Sequence, residues 1–157
     1  DGIWIAASAL SLLAAVLFAG SFVGNPVLAD ANSSAAKALA ESTPSGMFRV
    51  TRHPMMWGFA LWALSHILVA PRTENFIFLG SFVFLALVGA AAQDRKKSEQ
   101  LGDAWQSWQS QTSYWPRLSQ LSGVGIRIWL GAILFWLAAS WAHSPIAGVV
   151  AGIYRWL

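Results

Sequence analysis

Long apolar runs separated by short polar breaks dominate the hydropathy pattern of this chain. Four runs stand out, over 3–23, 55–70, 76–92 and 126–142. Roughly 17 to 25 apolar residues cross a bilayer core as a helix. The second and fourth runs are therefore short and need interfacial residues to complete a crossing. The pattern predicts an all-α integral membrane protein with about four transmembrane helices plus short interfacial helices. "SPIAGVVAGIYRWL", from Ser144 to Leu157, is apolar but interrupted by Pro145. It is expected either as a re-entrant or interfacial piece or as an extension of the fourth helix beyond a kink.

The polar breaks define the rest of the layout. "APRTEN" between the second and third runs is long enough only for an antiparallel helical hairpin. Alternating spans then place the 25–54 and 93–125 loops on one side. The first loop carries an Ala-rich patch bounded by turn residues, which predicts a short interfacial helix. In "RKKSEQLGDAWQSWQSQ", Leu101, Ala104, Trp105 and Trp108 recur at helical spacing. They predict a surface helix whose tryptophans sit at headgroup level.

Composition agrees with a lipid environment. Of 157 residues, 56% are hydrophobic and 11% charged, and mean hydropathy is +0.51. There is no cysteine, which excludes disulfides, thiol catalysis and cysteine-ligated clusters. The sequence pI near 9.8 does not point to nucleic acid, because the basic residues sit at the ends of apolar runs. Lys37, Arg49, Arg52, Arg95, Lys96, Lys97 and Arg117 lie in the two long loops, with Arg127 at their border. Only Arg72 and Arg155 fall on the opposite side. The positive-inside rule then predicts a multi-pass protein of the inner (cytoplasmic) membrane with both long loops cytoplasmic. No basic n-region or small-residue cleavage site precedes the first run, so no signal peptide is expected. Neither repeats, nor a phosphate loop, nor a Ser-His-Asp grouping is present.

Histidine is the remaining candidate for chemistry. Arg52, His53 and Pro54 stand at the mouth of the second span, and Pro54 suits the first helical position. The Arg-His pair reads either as a cap that snorkels to headgroup phosphates or as a binding element. His66 lies about 16 Å further along the helix than Met55, at a depth where polar groups are costly and commonly functional. At about 100° per residue, Met55, Phe59 and Trp62 fall within roughly 40° of it, while His53 points roughly 140° away. The two histidines are thus not expected to share a ligand. An aromatic and methionine face ending in imidazole fits the wall of a flat hydrophobic cofactor such as haem. It equally fits a histidine bonded to a neighbouring helix among packing aromatics. His143, in "SWAHSP", reads as an interfacial cap near the same side of the membrane. A zinc site from two separated histidines has no nearby carboxylate to support it.

These motifs together resemble a known family. "GMFRVTRHPMMWGFALWALSHIL" and "LVGAAAQDRKKSEQLGDAWQSWQSQTSYWP" are similar to the NnrU family of bacterial membrane proteins. "FAGSFVGNP" and "WLAASWAHSP" extend the likeness over nearly the whole chain, as a single NnrU-like transmembrane domain over 1–157. The family is associated with nitrite and nitric oxide metabolism in denitrifiers and includes the zeta-carotene isomerase. The resemblance implies haem b, held by two histidines, and an apolar polyene as substrate of a haem-dependent isomerase. It carries a ligand role onto His66; Met55, Phe59 and Trp62 on the same helical face and the Arg52-His53 pair are the further cofactor-binding candidates read from the residues themselves. The family's partner histidine belongs to a segment expected before Asp1, and His143 is the substitute within this chain.

A more distant resemblance joins "GMFRVTRHPMMWG" to the isoprenylcysteine and phospholipid methyltransferases, which bind S-adenosylmethionine beside a Gly-x-x-x-x-x-Arg-His-Pro element. Their Glu-Glu pair corresponds here to Gln93-Asp94, so one carboxylate is missing. The alternatives to a haem-associated protein are thus a methyltransferase-like enzyme and a non-catalytic subunit of a respiratory or photosynthetic complex. For the latter, ten tryptophans and the small residues Gly80, Ala86, Gly89 and Gly131 fit close packing against lipid and membrane-protein partners.

Overall fold

In the computed structural model, residues 1–27 and 34–157 are described. All regular structure among them is helical. Helix α1 spans Gly2–Gly20, α2 Ser34–Ala40, α3 Met47–Val50, α4 Pro54–Val69, α5 Thr73–Leu101, α6 Asp103–Gln111 and α7 Ile126–Ala147, with 3-10 turns at Leu118–Gly123 and Gly152–Arg155. Helices α1, α5 and α7 are long and apolar enough to cross a membrane. Helix α4 has 16 residues and reaches about 24 Å at the helical rise, short of a typical hydrocarbon core, as its short apolar run leads one to expect. The chain is an all-α membrane protein.

The long helices stand in a row. Helix α1 packs between α7 and α4, and α5 packs on the far side of α4. The α1–α4 contact is close because small residues line it. A Cβ on Gly58 would lie 3.1 Å from the Ala14 carbonyl oxygen and 3.3 Å from Phe18 Cβ, while Ala7, Ala14 and Ala15 are buried on the facing side. In lipid, where no hydrophobic drive separates helix from solvent, such close backbone approach supplies the packing energy. A polar clasp joins α1 to α7, with Trp136 Nε1 donating to Ser11 Oγ at 2.9 Å. The expected packing role of Gly80, Gly89 and Gly131 is not realised within the chain. Each faces open space, and of that set only Ala86 is buried.

Both long loops lie together at one end, where α2 packs on α6 and α3 on the 118–123 turn. The surface-helix expectation is corrected here in two respects. The α5–α6 stretch is not continuous, because Gly102, at φ +53° and ψ −127°, adopts a conformation open to glycine and turns the chain. The tryptophans face protein and not the surroundings: Trp105 and Trp108 are fully buried in a small core with Ala40, Phe48, Leu101 and Ala104. The amphipathic stripe was legible, but the surface that covers it is protein. The Ala-rich patch does form a helix, α2, while its upstream part within 28–33 lies outside the described residues. At the opposite end, α7 continues through Pro145 to Ala147 and is capped by Gly148 in the left-handed region. The helix-extension alternative therefore holds for Ser144 to Ala147 only. The remaining C-terminal turn folds back, setting the Arg155 guanidinium 4.2 Å above the Trp4 ring.

Replacing Gly58 by valine is expected to force α1 and α4 apart at a cost of about 1–3 kcal/mol. Gly89→Ala, in open space, is expected to change stability little. Thermal unfolding of both variants in the same detergent checks the difference.

Candidate functional site

The sequence-predicted residues separate into two centres at opposite ends of α4. The first gathers where α4 begins. His53 is the residue before the helix, and Pro54 occupies its first turn, so the chain arrives extended and can pair with another segment. Arg52 N–H donates to the Ser113 carbonyl at 2.8 Å and Arg117 N–H to the Val50 carbonyl at 2.8 Å. Thr51 Oγ1 donates to the Tyr114 carbonyl at 2.8 Å, as does Trp57 Nε1 at 2.8 Å. The Tyr114 hydroxyl in turn donates to the Leu87 carbonyl of α5 at 2.6 Å. The loop after α6 is thereby stitched to the start of α4 and to α5.

Asp94 on α5 sits within this frame. Arg52 Nε approaches Asp94 Oδ2 at 2.9 Å and Nη2 approaches it at 2.6 Å, while His53 Nε2 lies 2.9 Å from Oδ1. A carboxylate only accepts, so His53 carries its proton on Nε2. The Arg52 guanidinium also lies 5.7 Å from the Tyr114 ring centroid. Burial, and after it the negative charge of Asp94, pushes the Tyr114 phenol above its ordinary value, which keeps it a donor to Leu87. The snorkelling alternative for Arg52 and His53 is not what the structure shows. Their polar atoms turn inward to Asp94, and His53 is only 2% exposed. Both Asp94 oxygens accept from these two residues. Met55 lies at this end as well, beside a cleft lined by Asn25, Val27, Arg52, His53, Met56 and Gln93.

The second centre lies where α4 ends. The His66 and His143 rings are 5.9 Å apart between centroids, with planes inclined by 31°. Each Nδ1 donates to the carbonyl one turn back: His66 to Trp62 at 2.8 Å and His143 to Ala139 at 2.7 Å. A carbonyl accepts only, so Nδ1 holds the proton in both rings and leaves a lone pair on Nε2. Among the described residues neither Nε2 has a hydrogen-bond partner. This is the arrangement that outer-shell hydrogen bonds impose on metal-bound histidines. Trp62 lies beside His66 at 4.8 Å with ring planes inclined by 50° and meets Phe82 at 5.8 Å. Phe59, one turn earlier, packs on Phe18 at 5.4 Å. The expected stripe therefore divides, with Trp62 beside His66, Phe59 at the α1 seam, and Met55 at the other centre. No cluster of three or more His, Asp and Glu able to hold a metal ion occurs among the described residues.

Sequence reasoning placed His53 and His66 apart correctly but did not see the inward Arg52–His53–Asp94 pairing, nor the contributions of Thr51, Trp57 and Tyr114. The available signal was a lone carboxylate just beyond an apolar run, opposite an Arg-His pair. Replacing Asp94 by asparagine leaves Arg52 and His53 without their shared anion. It is expected to destabilise the fold by about 3 kcal/mol, whereas Asp103→Asn, in the first turn of α6, is expected to cost well under 1 kcal/mol. Melting curves of the two variants test this.

The family model described as NnrU protein matches residues 1–151. No curated protein and no solved structure matches the chain. The extent of that match, over a helical membrane fold with the quoted motifs at its two centres, shows that the chain belongs to the NnrU family.

Proposed function

We propose that this protein is a haem-associated membrane protein in which His66 and His143 present their Nε2 atoms to the iron of haem b. The observation that carries the reading is the pairing of two imidazoles 5.9 Å apart, each with Nδ1 tied to its own helix. Tied rings lose little freedom on ligation and are made more basic by the hydrogen bond. The donor set fits haem, for which imidazole is a standard axial ligand. When bound, haem b supplies a redox-active iron whose ligation responds to oxidation state. The chain's own residues hold and orient it: Trp62 and Phe82 form an aromatic wall beside His66.

Of the two activities linked to the family, carotenoid cis–trans isomerisation has the better structural support. Phe59 and Trp62 are more than one-third exposed on the bilayer side, so a long apolar polyene can reach the histidine centre from lipid. A link to nitrite or nitric oxide metabolism makes no use of that wall. The purified protein is expected to show a Soret band, weakened on the order of 10-fold or more in both His66→Ala and His143→Ala. A colourless, iron-free preparation overturns the haem reading. Conversion of a tri-cis carotene by the reduced protein alone separates isomerase from the second activity.

We also infer an orientation with the 25–54 and 93–125 stretches in the cytoplasm, from the basic residues they carry. The chain has no cysteine, so single cysteines placed at Lys37 and at Arg72 are clean probes. In intact cells, a membrane-impermeant thiol reagent is expected to label the Arg72→Cys variant and spare Lys37→Cys. The reverse pattern inverts the topology.

A further inference from the structure

Three arginines meet around the 3-10 turn at Leu118–Gly123. Arg117 directly precedes the turn, and its N–H is fixed to the Val50 carbonyl at 2.8 Å. That pairing brings α3 alongside, and from α3 Arg49 reaches the far end of the turn: its Nη1 would lie 3.5 Å from a Cβ placed on Gly123. Arg127 stands four residues beyond Gly123, in the first turn of α7. All three are exposed, and among the described residues none forms an ion pair. The sequence explains why: neither 42–73 nor 104–157 holds an aspartate or glutamate. Like charges gathered without a counterion repel one another and raise the local positive potential, which an anion relieves.

Apolar side chains stand open beside these charges. Trp115 is 65%, Leu118 54% and Ile126 69% exposed. Trp115 is nonetheless held in place, with the rings of Trp57 and Tyr114 at 5.1 and 5.6 Å between centroids. Location decides what meets this mixed surface. Gly125 is the residue before α7, a helix long and apolar enough to cross a membrane, so the turn lies at the border between span and loop. There the phosphate and acyl chains of one lipid are adjacent, and arginine and tryptophan are the residues that anchor at that level. A soluble anion would meet the guanidiniums and leave the three apolar side chains unmatched.

We propose that this surface holds an anionic phospholipid of the phosphatidylglycerol type, its phosphate accepting from Arg49, Arg117 and Arg127 and its acyl chains lying against Trp115, Leu118 and Ile126. Guanidinium suits the task because its planar fork donates two parallel N–H bonds to a phosphate. Arg52 takes no part, being committed to Asp94. Lys37, Arg95 and Lys96 share this side of the molecule but lie on α2 and α5, outside the cluster. The site is also separate from the histidine centre, since His143 lies sixteen residues along α7 from Arg127, or about 24 Å.

The test reconstitutes the full chain in nanodiscs of phosphatidylglycerol and phosphatidylcholine in equal amounts. Lipid retained after mild detergent exchange is then quantified by mass spectrometry. Phosphatidylglycerol is expected to be enriched on the order of tenfold, one surface arginine strengthening contact with anionic lipid about fivefold. Combining Arg49→Gln, Arg117→Gln and Arg127→Gln is expected to bring the ratio close to one. Combining Lys37→Gln, Arg95→Gln and Lys96→Gln removes the same charge from the same side and is expected to keep most of the enrichment. An equal fall in both overturns the proposal, because retention then follows diffuse charge. The unaltered protein gives a second measurement that needs no variant to fold. Its enrichment is expected to weaken as salt is raised, and equal retention of the two lipids at low salt overturns the proposal. Glycerophosphoglycerol, the same headgroup without acyl chains, is expected to leave the retained lipid in place. Displacement of the lipid by it at equal concentration also overturns the proposal, because the ligand is then a free phosphate ester.

Discussion

The carboxylate of Asp94 holds together the end of the molecule where three separate stretches of chain must meet. It projects from α5 just past the apolar run, receives the forked guanidinium of Arg52, and fixes the tautomer of His53. Arg52 and His53 are the last two residues before α4, so the ion pair ties the start of α4 to α5. The backbone of these residues then serves as a template for the loop after α6, through the Arg52–Ser113 and Arg117–Val50 hydrogen bonds. A charged pair at this depth is stable because each of its members has further partners. Removing one member strands the others in a poorly solvated place.

From that junction the protein divides into two regimes of packing. In the apolar row the helices face lipid on most sides, and contact is made by close approach, as at Gly58 against Ala14. In the cap the chain behaves like a small soluble domain. Trp105, Trp108 and Phe48 fill a core under α2, and glycine at position 102 allows the reversal that folds α6 back onto it. The same composition of large aromatics serves both regimes. Burial tells them apart: Trp105 and Trp108 are inside, while Trp115 and Trp141 remain exposed at the two ends of the bundle.

The histidines show how one helix can carry two unrelated kinds of chemistry. At its start, His53 donates from Nε2 to a carboxylate and is enclosed. At its end, His66 donates from Nδ1 to a carbonyl of its own helix and stays half-exposed beside His143. Opposite tautomers follow from these opposite partners, and each leaves a different nitrogen available. The proposed haem ligation uses Nε2 at the end of the helix.

Much of the architecture follows from the residues in order. Hydropathy runs dictate the helices that line the membrane, Pro54 marks where α4 begins, and the spacing of 3.6 residues per turn places His53 and His66 on different faces. Those features are local, so they are legible along one chain. The partners were decided by tertiary structure. Nothing in the sequence order says that Asp94 meets Arg52 and His53, that His143 comes to lie beside His66, or that a tryptophan stripe is covered by α2 instead of lipid. An amphipathic helix buries its apolar face equally well against a bilayer or against protein. A charged side chain likewise satisfies itself with a phosphate or with a carboxylate. Only the packing of the helices in a row, with both long loops at one end, selects between those options.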